Sequence, residues 1–254
     1  MNLVDFITDK NAITFILLFT RISGFFAFMP FFSHASISVS IKTALALYIT
    51  ILFFPVAKLS GVDINTSNIL FFIVSELFIG FISGLLLNLA FSALSLAGGQ
   101  ISMIMGFSMA TVFDPLSSSN TPLVSNALTL IAFLILLSFN GHHLILIFLS
   151  HTIDSITLGS FYPNSNLSDY LITGVAAMFK VGLILAFPII ALSLLSDIIF
   201  GMLMKTMPQF NLLVVGFPIK IFLSVLVLTA VLSSMMSIFK NDFLKYFEIL
   251  KAIF

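Results

Sequence analysis

Between Gly98 and Pro122 the chain reads GGQISMIMGFSMATVFDPLSSSNTP, and on either side of it lie apolar runs long enough to cross a bilayer. The stretch mixes Met, Gly and Ser. Asp114-Pro115 opens a turn, because the proline fixes its own φ and biases the residue before it away from the helix. Ser117, Ser118, Ser119, Asn120 and Thr121 then supply donors and acceptors. Irregular backbone at membrane depth is tolerated only where protein or a water-filled cavity surrounds it. The segment therefore reads as the lining, or the stopper, of a passage through a membrane. Met103, Met105 and Met109 suit that reading, since unbranched, polarisable side chains re-pack around changing shapes.

Composition agrees with a membrane setting. Of 254 residues, 60% are hydrophobic and 8% charged, against roughly 25% charged in a soluble domain. The mean hydropathy is +1.22. A formal net charge of +0 gives no support to nucleic-acid binding, and no nucleic-acid partner is expected. With no cysteine, disulfides and thiolate metal sites are excluded. No tryptophan occurs among 31 phenylalanines, so any aromatic belt must be Phe and a few Tyr. The first apolar run is too long for a signal-peptide core, follows Asp5 and Asp9, and contains Arg21.

Working outward, six apolar runs occupy roughly 12–32, 41–57, 68–97, 123–149, 170–200 and 211–239. The expected fold is an all-α integral membrane protein of about six helical segments, some kinked or broken. It is read as a single membrane-embedded domain, 1–254. Residues 240–254 alternate charge and apolar side chains and are expected to form an amphipathic helix lying at an interface or against a partner. With six crossings, Lys10, Lys58, Lys240, Lys245 and Lys251 fall on one side against Lys42 and Lys205 on the other, which puts the tail in the cytoplasm.

Small or polar residues recur at helical spacing through the third run and beyond: Glu76, Gly80, Gly84, Asn88, Ser92, Ser95, Gly99, Met103 and Gly106. Steps of three and four keep them on one slowly drifting face. In lipid such a face lets backbones approach closely. It is either a seam within the chain or a stripe facing another subunit or a lumen. Unless Gly98-Gly99 breaks it, the helix is too long for the bilayer core and protrudes. Five further charges lie inside or beside apolar runs: Arg21, Lys180, Asp197, Lys205 and Lys220. Each is costly in bare hydrocarbon, so partners or a wet cavity are expected. Arg21 and Glu76 can pair across helices, and Asp197, Gly201 and Lys205 share a face that permits a ladder.

Four motifs follow in order: the central segment, Phe139-Asn140-Gly141-His142, Pro208-Gln209-Phe210 and Val215-Gly216-Phe217-Pro218. Their co-occurrence resembles the flagellar biosynthetic protein FliR family, which includes the corresponding subunit of virulence type III secretion systems. The resemblance runs along nearly the whole chain. It implies a structural subunit of the flagellar protein export gate in the bacterial inner membrane, at the flagellar basal body. It further implies that the loop matching Met105, Phe107, Met109, Phe113, Asp114, Pro115 and Ser117 plugs the channel when idle. Implied partners are FliP-like and FliQ-like gate subunits, FlhB-like and FlhA-like proteins, membrane lipid and unfolded substrates in transit. The alternatives are a virulence (injectisome) gate subunit and a small-molecule secondary transporter.

Catalysis is not expected. No G-x-x-x-x-G-K-[ST] occurs. Gly106-Phe107-Ser108-Met109-Ala110 only approaches a nucleophile elbow, and the strand-to-helix setting is missing. His142 and His143 are adjacent and should point apart on a helix. His151 with Asp154 offers two metal ligands, too few for a site. No cofactor and no metal is expected. Asn140-Gly141 should turn or break the fourth run, and Pro188 and Pro218 should kink or interrupt the last two.

Overall fold

The computed structural model describes residues 10–29, 38–59, 68–107, 122–160, 166–207 and 212–253. Seven α-helices account for most of them: α1 Lys10–Phe28, α2 Val39–Phe53, α3 Ile69–Met105, α4 Leu123–Ser138, α5 Gly141–Ser155, α6 Asn166–Thr206 and α7 Phe217–Ile253. A five-residue π-helical turn, Leu212–Gly216, leads into α7. The protein is an all-α integral membrane protein.

Helix lengths revise the six runs. Four helices are long and apolar enough to cross a membrane: α1, α3, α6 and α7. A fifth crossing is possible if α4 and α5 count as one bent span. With 15 residues, α2 extends only about 22 Å at 1.5 Å per residue, short of a bilayer core of about 30 Å. The assignment of lysines to sides from six crossings lapses with that count.

The fourth run is interrupted where Asn140 adopts the left-handed conformation, φ 58°, ψ 32°. Asn is one of the few side chains that tolerates this region. The axis turns by 71° there, so α4 and α5 are separate helices. Pro188 sits inside α6, and the helix continues past it to Thr206. Pro218 stands at the second position of α7, directly after the π-helical turn. Pro208 and Gln209 lie outside the described residues, as do Phe210 and Pro163.

The chain packs as two compact units. The first comprises Met1–Leu89, Leu137–Gly174 and Phe243–Phe254. Its core joins α1, the first half of α3, α5 and the end of α7. Phe25 meets Phe148 at 6.2 Å between ring centroids, and Phe148 meets Phe247 at 6.0 Å. The tail is thus the continuation of α7 without a break. Its apolar face of Phe243, Tyr246, Phe247 and Leu250 is buried against the chain itself, and the Tyr246 hydroxyl donates to the Gly174 carbonyl at 2.9 Å. The second unit comprises Ala90–Leu136 and Val175–Asp242. There Phe91 packs on Phe133 at 4.8 Å and on Phe239 at 4.9 Å, over a floor of Ala93, Leu94, Ala97, Leu128 and Ala132.

Candidate functional site

Two places concentrate polar chemistry within apolar surroundings. The first is a charge cluster in the first unit, and its existence depends on how closely α1 and α3 approach. At Gly80 a Cβ would collide with the Arg21 carbonyl oxygen and stand 2.6 Å from the Phe25 nitrogen. No larger residue fits there, and the contact sets the two helices in register. One turn before Gly80, on the same face, Glu76 then meets Arg21: Nε donates to Oε2 at 2.6 Å. The two residues are 1% and 0% exposed.

Neither charge is left to its partner alone. Arg21 Nη1 donates to the carbonyls of Thr152 at 2.8 Å and Ile156 at 3.1 Å, at the C-terminal end of α5. The Thr152 carbonyl also accepts the Ile156 N–H, so Arg21 adds a second donor there, and a cation at a helix C-terminus favours the helix dipole. Glu76 Oε1 accepts the Gly159 N–H at 2.8 Å. Gly159 has φ +82°, a conformation suited to glycine. The neighbouring Leu158 N–H donates to the Lys58 carbonyl at 3.0 Å, and Leu59 bridges to Leu158 in parallel. One ion pair thereby clasps α1, α3, the end of α5 and the segment after α2. Arg21 Nη2 has no acceptor among the described residues.

The stripe on α3 divides between two seams. Gly80, Gly84 and Asn88 face α1, where Asn88 Nδ2 donates to the Phe28 carbonyl at 3.1 Å. In the second unit α3 turns its small residues to α4. Ser95 and Ser125 share a hydroxyl hydrogen bond at 3.0 Å, and a Cβ on Gly98 would collide with the Ser125 backbone. The close approach is made by Gly98, not by Gly99, which the spacing favours and which is only half-buried. Ser92 is half-buried, while Met103 is 68% exposed and belongs to neither seam.

The second place is the C-terminal end of α3. No break occurs at Gly98-Gly99; the helix runs 37 residues, about 55 Å at 1.5 Å per residue. It stops at Gly106, φ +89°. The Gly106 N–H donates to the Met103 carbonyl at 3.2 Å and the Phe107 N–H to the Ser102 carbonyl at 3.1 Å, the paired bonds of a Schellman cap. Gly106 is therefore a helix terminator rather than a stripe member. Met105 is the last helical residue and fully buried. Within the second unit this end is held by the Ser193 hydroxyl, which donates to the Ile104 carbonyl at 3.3 Å. The Ser102 hydroxyl accepts the Val124 N–H of the first turn of α4 at 3.1 Å. The two ends flanking residues 108–121 are thus hydrogen-bonded to each other. Phe107 is half-buried; Met109, Phe113, Asp114, Pro115 and Ser117 lie outside the described residues.

The other expected residues are dispersed. Asp197 turns both carboxylate oxygens to Lys220 Nζ, at 2.7 and 2.9 Å, instead of forming a ladder with Lys205. A pairing between α6 and α7 buries most of the Lys220 stem, which a bond along one exposed helix face cannot do. Lys205 and Lys180 are both exposed. His142 and His143 lie with ring centroids 4.1 Å apart and planes tilted by 40°, rather than pointing apart. They stand in the first turn of α5, where no preceding turn hems in their side chains. Gly141 is buried behind Asn140, while Gly216 and Pro218 mark the junction of the π-helical turn and α7. Sequence reasoning missed Gly98, Gly159 and the Thr152 and Ile156 carbonyls. Only Gly159 carried a signal, a glycine after an apolar run, and that marks a turn without naming its partner.

A family model described as bacterial export proteins, family 1, matches residues 12–246. The chain is similar to the flagellar biosynthetic protein FliR of Bacillus subtilis, 30% identical over 90% of this chain and 90% of that one. It is also similar to the FliR proteins of Escherichia coli, 29% identical over 92% and 89%, and of Aquifex aeolicus, 27% identical over 95% and 94%.

Proposed function

The chain belongs to the bacterial export proteins, family 1, and on that premise we propose that it is a structural subunit of the flagellar type III protein export gate. In this reading the whole chain acts as one membrane-embedded domain of the bacterial inner membrane, at the flagellar basal body. It helps form the conduit for unfolded flagellar substrates. Its partners are FliP-like and FliQ-like subunits in a hetero-oligomer, with FlhB-like and FlhA-like proteins beside them. It performs no catalysis and needs no cofactor.

The observation that carries the reading is the match across residues 12–246 of a chain whose helices have membrane length. The plug role of residues 105–119 rests on the resemblance and on one supporting geometry. The helix ends that flank residues 108–121 are joined by the Ser102–Val124 hydrogen bond. Met105 and Phe107 would form its root, with Met109, Phe113, Asp114, Pro115 and Ser117 as the sealing part. A secondary transporter fits less well: Arg21–Glu76 and Asp197–Lys220 neutralise charges that a proton relay would need.

Deleting the gene in a motile host should abolish flagella, and the intact gene should restore them. Normal swimming with loss of effector secretion would move the protein to the virulence class. Removing residues 110–118 should make the assembled complex leak ions or small solutes, and unchanged permeability would remove the plug role.

A further inference from the structure

Three contacts meet around the C-terminal end of α3, all within the second unit. The Ser193 hydroxyl of α6 donates to the Ile104 carbonyl. The Phe217 ring of α7 stands 3.3 Å from where a Cβ on Gly106 would be. Lys220 of α7 is joined to Asp197 of α6. More distant contacts give the helix directions. Gly182 packs on Ala93 and Leu96 while Ser193 reaches Ile104, so α6 runs alongside α3 in the same sense. Phe239 meets Phe91 while Phe217 meets Gly106, so α7 runs in the opposite sense.

Most of what these helices share is apolar, and apolar contact is not directional. A slip of one turn, about 5.4 Å, exchanges one aliphatic neighbour for another. The Ser193 bond is a neutral one of 3.3 Å, at the long end of its range. The ion pair is different: its bonds of 2.7 and 2.9 Å need the carboxylate and the ammonium at one level. Lys220 is 8% exposed, so its buried stem cannot swing to follow a slip. The Asp197 side chain stays half-exposed, and such a pair adds little stability. Fixing register is the best-attested use of a polar group within an apolar helix interface. Gly201, one turn beyond Asp197, has nothing within 4 Å of an added Cβ, so no steric contact at that glycine shares the task.

We propose that the Asp197–Lys220 pair is the positioning device for the end of α3. It fixes the register of α6 and α7, and that register places Ser193 on the Ile104 carbonyl and Phe217 on Gly106, where the helix ends. The proposal deepens the gate-subunit reading and rests on it, since in that reading the end of α3 carries Met105 and Phe107.

Because the sequence has no cysteine, Ile184→Cys with Phe222→Cys gives the full chain two unique sites for spin labels, on exposed positions of α6 and α7. In detergent the parent should give one narrow distance. Lys220→Met should shift it, or add a second population, by about 5 Å, one helical turn. Lys220→Arg should restore the parental distance. Asp197→Asn keeps its shape at a half-exposed position and tests the same prediction if Lys220→Met fails to fold. Ser224→Ala removes a buried hydroxyl, one turn from Lys220, that has no partner among the described residues, and should leave the distance unchanged. In the assembled complex, Lys220→Met should leak protons several-fold faster than the parent at equal recovery of subunits. An unchanged distance in Lys220→Met and Asp197→Asn, even with a lowered melting temperature, makes the pair an ordinary stabilising contact and overturns the proposal. An equal shift in Ser224→Ala, or parental leakage from the Lys220→Met complex, overturns it as well. The distance is read on the chain alone and flagellation on the deletion strain, so the two readings fail separately: flagella lost with an unchanged distance removes only the positioning role.

Discussion

At the residue scale, the Arg21–Glu76 clasp is where a single atom matters most. Removing one member of a buried pair leaves the other charge without compensation, which costs about 3–5 kcal/mol. Glu76→Gln keeps the shape and loses the charge, and it should lower stability by about that amount. The Arg21→Met, Glu76→Leu double substitution should recover most of the loss, since replacing both partners with apolar groups is often nearly neutral. Some deficit will persist, because the Ile156 carbonyl and the Gly159 N–H lose these partners, while the Thr152 carbonyl keeps the Ile156 N–H. Thermal unfolding in detergent of the parent, Arg21→Met, Glu76→Leu and the double variant closes the cycle. An additive result, in which the double variant is as unstable as the sum of the singles, would show that the two side chains do not act as a pair. The outer pair should be weaker. The Asp197 side chain is 54% exposed, so its bond to Lys220 is not fully withdrawn from its surroundings.

At the element scale, the crossing of α3 with α4 makes Gly98 irreplaceable in a way that can be compared with a neutral glycine. Gly201 on α6 has nothing within 4 Å of an added Cβ. Ala there should be neutral or stabilise by about 0.5–1 kcal/mol, the ordinary helix preference of Ala over Gly. Ala at Gly98 faces the Ser125 backbone, which cannot swing aside like a side chain, and should destabilise in spite of that preference. Equal melting temperatures for the two variants would refute the crossing. The same comparison explains what the sequence could disclose. Apolar runs located the long helices, because membrane helices must satisfy their own backbone and announce themselves by hydropathy. The spacing of Glu76, Gly80, Gly84 and Asn88 located one seam face. It could not tell Gly98 from Gly99, since a drifting stripe passes over both and only the partner helix decides. Nor could it separate the Schellman glycine, Gly106, from a packing glycine, because that distinction lies in φ. Partner choice for Asp197 was equally hidden: Lys205 was eight residues away in sequence, but Lys220 is nearer in space.

At the scale of the whole molecule, the question is whether the passage belongs to the chain or to an assembly. The shares of the four best membrane windows buried within the chain are 61% for α1, 50% for α3, 33% for α6 and 17% for α7. Exposed leucine or phenylalanine in lipid costs little, because lipid tails are as apolar as those side chains. A chain alone in a bilayer can therefore remain dry and closed, and its exposed apolar faces require no water beside them. The two long-range ion pairs among the described residues, Arg21–Glu76 and Asp197–Lys220, are neutralised internally, which takes these four charges out of any path for ions or protons. Liposomes containing only this chain should accordingly hold a proton gradient as long as protein-free liposomes, within about a factor of two by a pH-sensitive dye. The purified complex lacking residues 110–118 should collapse the same gradient several-fold faster. If the isolated chain alone dissipates the gradient or drives solute uptake, the conduit lies within one polypeptide, and a transporter replaces the gate subunit as the better account.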